Sequence, residues 1–180
     1  MIDIASIEEK LMEKEKAMDE INAKSRIIIR SCANAIKAIH SKDKKAAMLF
    51  LKEADDGIKK IKPLALIFPV QIGHIMQEYA EARIVLDVVT KKRVPSLKEV
   101  GVDEVSYLNG LLDAIGELKR EMYEALRRNE RKEAEIYFSL MEDIYDSLLP
   151  LRFSNAVLPD FRRKQDVARI QIEQARGELL

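Results

Sequence analysis

Apolar residues return every three or four positions along most of this chain, the period of amphipathic helices, and no credible strand appears. From residue 3 to 40 the positions Ile4, Ile7, Leu11, Met18, Ile21, Ile28, Ile36 and Ile39 predict one long helix. Its first half, EEKLMEKEKAMDE, has the mixed charge of a solvated face. Asp43 is placed to cap a second helix, KKAAMLFLKEADDGIKKIK, which Pro63 ends or kinks. Pro69 opens a third, VQIGHIMQEYAEARIVLDVVT. Lys91 to Val102 is the main connection, where SLKE (Ser96 to Glu99) makes a capping box for a short turn that Gly101 closes. A fourth helix, VSYLNGLLDAIGELKREMYEALRR, ends at Asn129. A fifth runs from about Glu130 to Leu149, before Pro150. The last, FRRKQDVARIQIEQAR, follows Pro159 and is closed by Gly177. With no internal repeat or low-complexity tract, the expectation is an all-α, single-domain bundle of six to seven helices over residues 1–180.

Composition agrees: 6 Gly, 5 Pro and 34% charged residues suit long helices better than a sheet. Lys plus Arg, 31, equals Asp plus Glu, 31, so no global field steers the chain towards nucleic acid and any such binding needs a local patch. The single cysteine, Cys32, excludes an internal disulfide framework, fits a reducing compartment, and reads as a small core residue in an apolar helix. The opening MIDIASIEEKLMEKEK is charged and helical, unlike a signal peptide, and no apolar run spans a bilayer. A soluble, cytoplasmic protein without a membrane partner is expected.

Two acidic pairs change the picture. In QEYAEA, Glu78 and Glu81 lie three apart within a helix otherwise rich in Ile, Val, Leu and Met. On the fourth helix Asp113 and Glu117 lie four apart, at the margin of the stripe Leu108, Leu111, Leu112, Ile115, Leu118 and Met122. Like charges at this spacing weaken a helix, so nothing local recommends them. If the two helices pack antiparallel, four carboxylates converge, and they repel unless a divalent cation neutralises them. Hard oxygen ligands without Cys or His favour Mg²⁺ or Mn²⁺ over zinc. Solvated faces are the competing reading, since 31 acidic residues produce such pairs readily. A ferritin-like di-iron site needs Glu-x-x-His on two helices, and here only His40 and His74 exist, with no such motif.

QEYAEA, SYLNGLLDAIGELKR and LPDFRRKQDVARIQIEQARGELL together resemble the translin family, and within it translin-associated factor X, its catalytic paralogue. The order and spacing of the blocks agree from SRIIIRSCANAIKAIHS onward, and the YLxGLxDxxGEL and RRKxDVAR patterns carry the likeness. The resemblance implies an all-α fold that assembles into closed, barrel-like octamers enclosing RNA or single-stranded DNA. It implies a metal-dependent endoribonuclease, with Glu78, Glu81, Asp113 and Glu117 as catalytic residues and ligands to Mg²⁺ or Mn²⁺. Glu81 is then the candidate acceptor of the attacking water's proton. A non-catalytic, translin-type RNA- or DNA-binding protein is the alternative, and a helical interaction protein a third.

A pair of basic residues that the catalytic paralogue carries in its first helix falls here on Ala33 and Asn34. Arg26, Arg30, Lys37 and His40 nearby share a helical face that tracks a phosphate backbone as a nucleic-acid-binding stripe, or is an ordinary solvated face. Arg162, Arg163 and Lys164 form a second basic cluster, either facing RNA or paired with Asp166 and neighbouring chains. Tyr79 and Tyr107 are expected to pack rather than to stack on bases.

Overall fold

Local capping chemistry sets the helix starts seen in the computed structural model, which describes residues 3–179. Met1, Ile2 and Leu180, the ends of the expected 1–180 domain, lie outside the described residues. Helix α1 spans Ile4–His40, with the Asp3 carboxylate accepting from the Ser6 amide. Asp43 caps α2, Lys44–Ile61, by accepting from the Ala46 amide at 2.9 Å. Pro63 converts the chain to a 3₁₀ turn, Lys62–Leu66, and Pro69 begins α3, Pro69–Lys91. The Ser96–Glu99 capping box starts the single turn α4, Leu97–Val100, and Gly101 closes it at φ 79°. Helices α5, Glu104–Arg127, and α6, Arg131–Leu148, follow, and α7, Phe161–Leu179, completes the bundle. Gly177 does not close α7, which runs on to Leu179. The left-handed conformation that makes glycine a terminator occurs at Gly101 and not at Gly177. The described residues contain no strand, and no helix among them is long and apolar enough to cross a membrane.

The centre of the bundle is α5, which packs on α3, α6 and α7, while α1 lies along α2 and α3. The expected stripe of α5 is inward: Leu111, Leu112, Ile115, Leu118 and Met122 are buried, with Leu108 partly so. In α1 burial begins at Ile21; Ile4, Ile7 and Leu11 remain exposed on a half-helix with no core beside it.

Helices α3 and α5 approach closely at Gly110. A Cβ there would stand 2.8 Å from the Ala80 Cβ and 3.1 Å from the Glu81 amide nitrogen. This approach brings the Glu81 turn of α3 against the Asp113 turn of α5. Gly110→Ala is therefore expected to cost about 1–3 kcal/mol by forcing the helices apart. Gly116 is the contrast, since its Cβ would meet only the end of the Gln171 side chain, at 3.0 Å. Gly116→Ala is expected to cost less than about 1 kcal/mol, because alanine's helix propensity offsets the contact. Urea denaturation of the two variants checks this, and equal stability contradicts it.

Candidate functional site

Four carboxylates from two helices line one cavity. Glu78 and Glu81 of α3 and Asp113 and Glu117 of α5 stand on the wall of a 1240 Å³ cleft that α7 borders through Arg163, Lys164, Val167 and Gln171. All four are half-buried. The convergence expected from the acidic spacing is present, but on parallel rather than antiparallel helices: the Ser106 hydroxyl near the start of α5 donates to the Gly73 carbonyl near the start of α3, and further along both helices Gly110 faces Ala80.

The four differ in their partners. Asp113 is held by the Lys164 ammonium, 2.5 and 2.6 Å from its two oxygens, and by the Gln77 side-chain amide at 2.8 Å. Glu117 contacts His40 Nε2 at 2.6 Å, and the other ring nitrogen, Nδ1, lies 2.5 Å from Glu121, which is buried. Among the described residues neither Glu78 nor Glu81 has an ion-pair partner. Burial, followed by repulsion from Asp113, Glu78 and Glu117, pushes the Glu81 carboxyl up to about 8. Hydrogen bonding to His40 holds Glu117 below the usual carboxylate range. Burial draws His40 down, but hydrogen bonds to Glu117 and Glu121 more than reverse this and lift it to about 9. Cys32, under the same face of α3, is pushed up to about 12 by burial and by Glu78 and Glu81, so its thiol is an inert core group.

A hard divalent cation suits this donor set, because four carboxylates share the cleft and offer only oxygen ligands. As the side chains stand, no three His, Cys, Asp or Glu among the described residues are drawn together closely enough to hold an ion. Lys164 instead occupies Asp113.

Glu81 makes stability depend on pH. Its folded pKa lies above the ordinary 4.5, so the native state retains a proton and loses stability as pH rises from about 4.5 to about 8. Glu81→Gln removes this loss. Without metal, its stability relative to wild type is expected to improve by about 4 kcal/mol between pH 5 and pH 9. Denaturant melts across that range test the sign, and a constant difference contradicts it.

The basic residues behave differently from the expected stripe. Arg26, Arg30 and Lys37 are exposed, make no ion pair among the described residues, and do not line the cleft. His40 leaves the stripe: its side chain is only 6% exposed and is held between carboxylates rather than offered to a phosphate. A stripe of near-heptad spacing drifts around a straight helix, and the drift carries position 40 towards the core. In the second cluster, Arg163 pairs with Asp160 at 3.6 Å and Lys164 with Asp113, not with Asp166. Tyr79 is buried, and the Tyr107 hydroxyl donates to the Pro95 carbonyl at 2.7 Å, so both pack as expected. Gln77, Glu121 and the pairing of Lys164 with Asp113 were missed by sequence reasoning. Glu121 left a signal: an acidic residue beside Met122 on the buried side of α5, one turn beyond Glu117.

No family model matches the chain. An uncharacterized protein of Methanocaldococcus jannaschii is 37% identical over 175 residues, covering 94% of this chain and 78% of that protein. Among solved structures, the AfC3PO complex with duplex RNA superposes with a TM-score of 0.89 at 25% identity, over 99% of this chain and 95% of that one. AfC3PO alone gives 0.89 at 26% identity over the same shares. Apo-NeC3PO gives 0.90 at 25%, over 99% of this chain and 96% of that one.

Proposed function

Because this chain belongs to the translin family, on the side of translin-associated factor X, we propose that it is a Mg²⁺- or Mn²⁺-dependent endoribonuclease acting on single-stranded or short RNA. The observation that carries the reading is the convergence of Glu78, Glu81, Asp113 and Glu117 on one cleft, with Glu81 displaced to about 8. The RNA complex of AfC3PO supports RNA as the ligand. The uncovered apolar positions of α1 and the C3PO likeness support a closed homo-oligomer, taken here as eight chains. Light scattering tests that assembly, and a monomeric mass removes the enclosed chamber.

In this reading Glu78, Glu81, Asp113 and Glu117 would hold the metal. When bound, a divalent cation supplies charge neutralisation at the phosphodiester and a water acidic enough to attack it. The chain's own residues do the rest. Glu81, which has no ion-pair partner among the described residues, is the candidate acceptor of the attacking water's proton. His40 fixes one Glu117 oxygen, and Gln77 fixes one Asp113 oxygen, so both carboxylates enter the cleft oriented. No serine, cysteine or histidine nucleophile is required.

A labelled single-stranded RNA oligonucleotide tests the proposal. Cleavage with Mg²⁺ or Mn²⁺ that stops on chelation is the expected result. RNA retained but never cut, whatever the metal, leaves the non-catalytic binding protein instead.

A further inference from the structure

We propose that Lys164 is a resident counter-cation of the carboxylate cleft, which a divalent ion must displace from Asp113 in order to bind. The inference rests on the metal-dependent reading above. Its basis is the pairing itself. The Lys164 ammonium reaches both oxygens of Asp113, at 2.5 and 2.6 Å, from a side chain only 14% exposed. With Gln77 on the same carboxylate, three of the roughly four acceptor directions of Asp113 are taken, and the Lys164 charge stands where a metal would approach.

The pair is not required to dock α7. Phe161, Ala168, Ile172 and Ala175 are buried along that helix, and Gln165 donates to the Leu148 carbonyl at 2.8 Å. Lys164 and Asp113 both stand on the wall of the open cleft, so a displaced ammonium has room to move. A lysine suits the role, because a compact charge on a flexible stem is released more readily than a planar guanidinium fork, which grips a carboxylate through two bonds. Of the four carboxylates, the two on α5 each have a cation from another helix, Lys164 or His40, while the α3 pair has none among the described residues. Removing Lys164 therefore deepens the negative field at Asp113.

The test is Mn²⁺ affinity, measured by the loss of the free-ion electron paramagnetic resonance signal, in the full chain. Lys164→Met is expected to bind Mn²⁺ at least about tenfold more tightly, since one neighbouring charge shifts ion affinity at a carboxylate by one or more decades. Lys164→Arg is expected to bind no more tightly than wild type. Lys164→Gln repeats the experiment should the Met variant fold poorly. In the wild-type chain, acetylation of Lys164 by an N-hydroxysuccinimide ester, read by mass spectrometry, is expected to rise when Mg²⁺ is added. A wild type that binds Mn²⁺ while Lys164→Met and Lys164→Gln bind no more tightly overturns the role of Lys164 alone, as does acetylation indifferent to Mg²⁺. Failure of every variant and of the wild type to bind Mn²⁺ overturns both this inference and the metal-dependent reading.

Discussion

Replacing Glu81 or Asp113 by alanine is expected to lower RNA cleavage by at least about a thousandfold, since the lost charge stabilisation is several kcal/mol and each ~1.4 kcal/mol is a factor of ten. The folded, assembled state should persist. Glu81 has no ion-pair partner among the described residues, and its removal relieves repulsion with Asp113, Glu78 and Glu117. Asp113→Ala frees Lys164, which borders the open cleft and is not left in the core. The check is initial cleavage rate at saturating Mn²⁺, with circular dichroism and light scattering on the same samples. Wild-type rates in both variants would reduce the carboxylates to bystanders.

The largest effect on stability is expected at His40. Its imidazole lies between Glu117 and Glu121, with side chains 6% exposed for His40 and 4% for Glu121. His40→Ala leaves the buried Glu121 carboxylate without its hydrogen-bond partner, at a cost of about 3–5 kcal/mol. The cost depends on pH in a defined sense. His40 is raised from 6.5 to about 9, so its contribution is complete below about pH 6.5 and is lost as pH rises through about 9. The deficit of His40→Ala should therefore be greatest near pH 6 and shrink towards pH 9. Adding Glu121→Gln to His40→Ala should recover part of it, because the uncompensated charge is gone. Urea melts at pH 6 and pH 9 decide the matter, and a deficit under about 0.5 kcal/mol at pH 6 rejects the buried bridge.

What was legible in the sequence follows the range of the interactions. Asp43, the Ser96–Glu99 box, Pro69 and Pro150 mark helix ends through contacts within a few residues, so those boundaries were readable by eye. The stripe of α5 was equally readable, because burial on one helix face repeats with the helical period. The pairing of Lys164 with Asp113 spans 51 residues, and that of His40 with Glu121 spans 81. No local rule connects such positions. His40 was placed with Arg26, Arg30 and Lys37 because spacing along one helix shows which residues are neighbours, not which neighbours turn inward when three other helices arrive. The two acidic pairs carried their spacing openly. What brings them together, the close approach at Gly110 and Ala80, needed the packed bundle.

The central claim is that the four carboxylates form a divalent-cation site, and anomalous diffraction from a crystal soaked in Mn²⁺ tests it most directly. The account predicts an anomalous peak between α3 and α5, within reach of Glu78, Glu81, Asp113 and Glu117, with the Lys164 ammonium moved off Asp113. A soaked crystal with no peak in the cleft, or with Mn²⁺ only at another place on the chain, would contradict it.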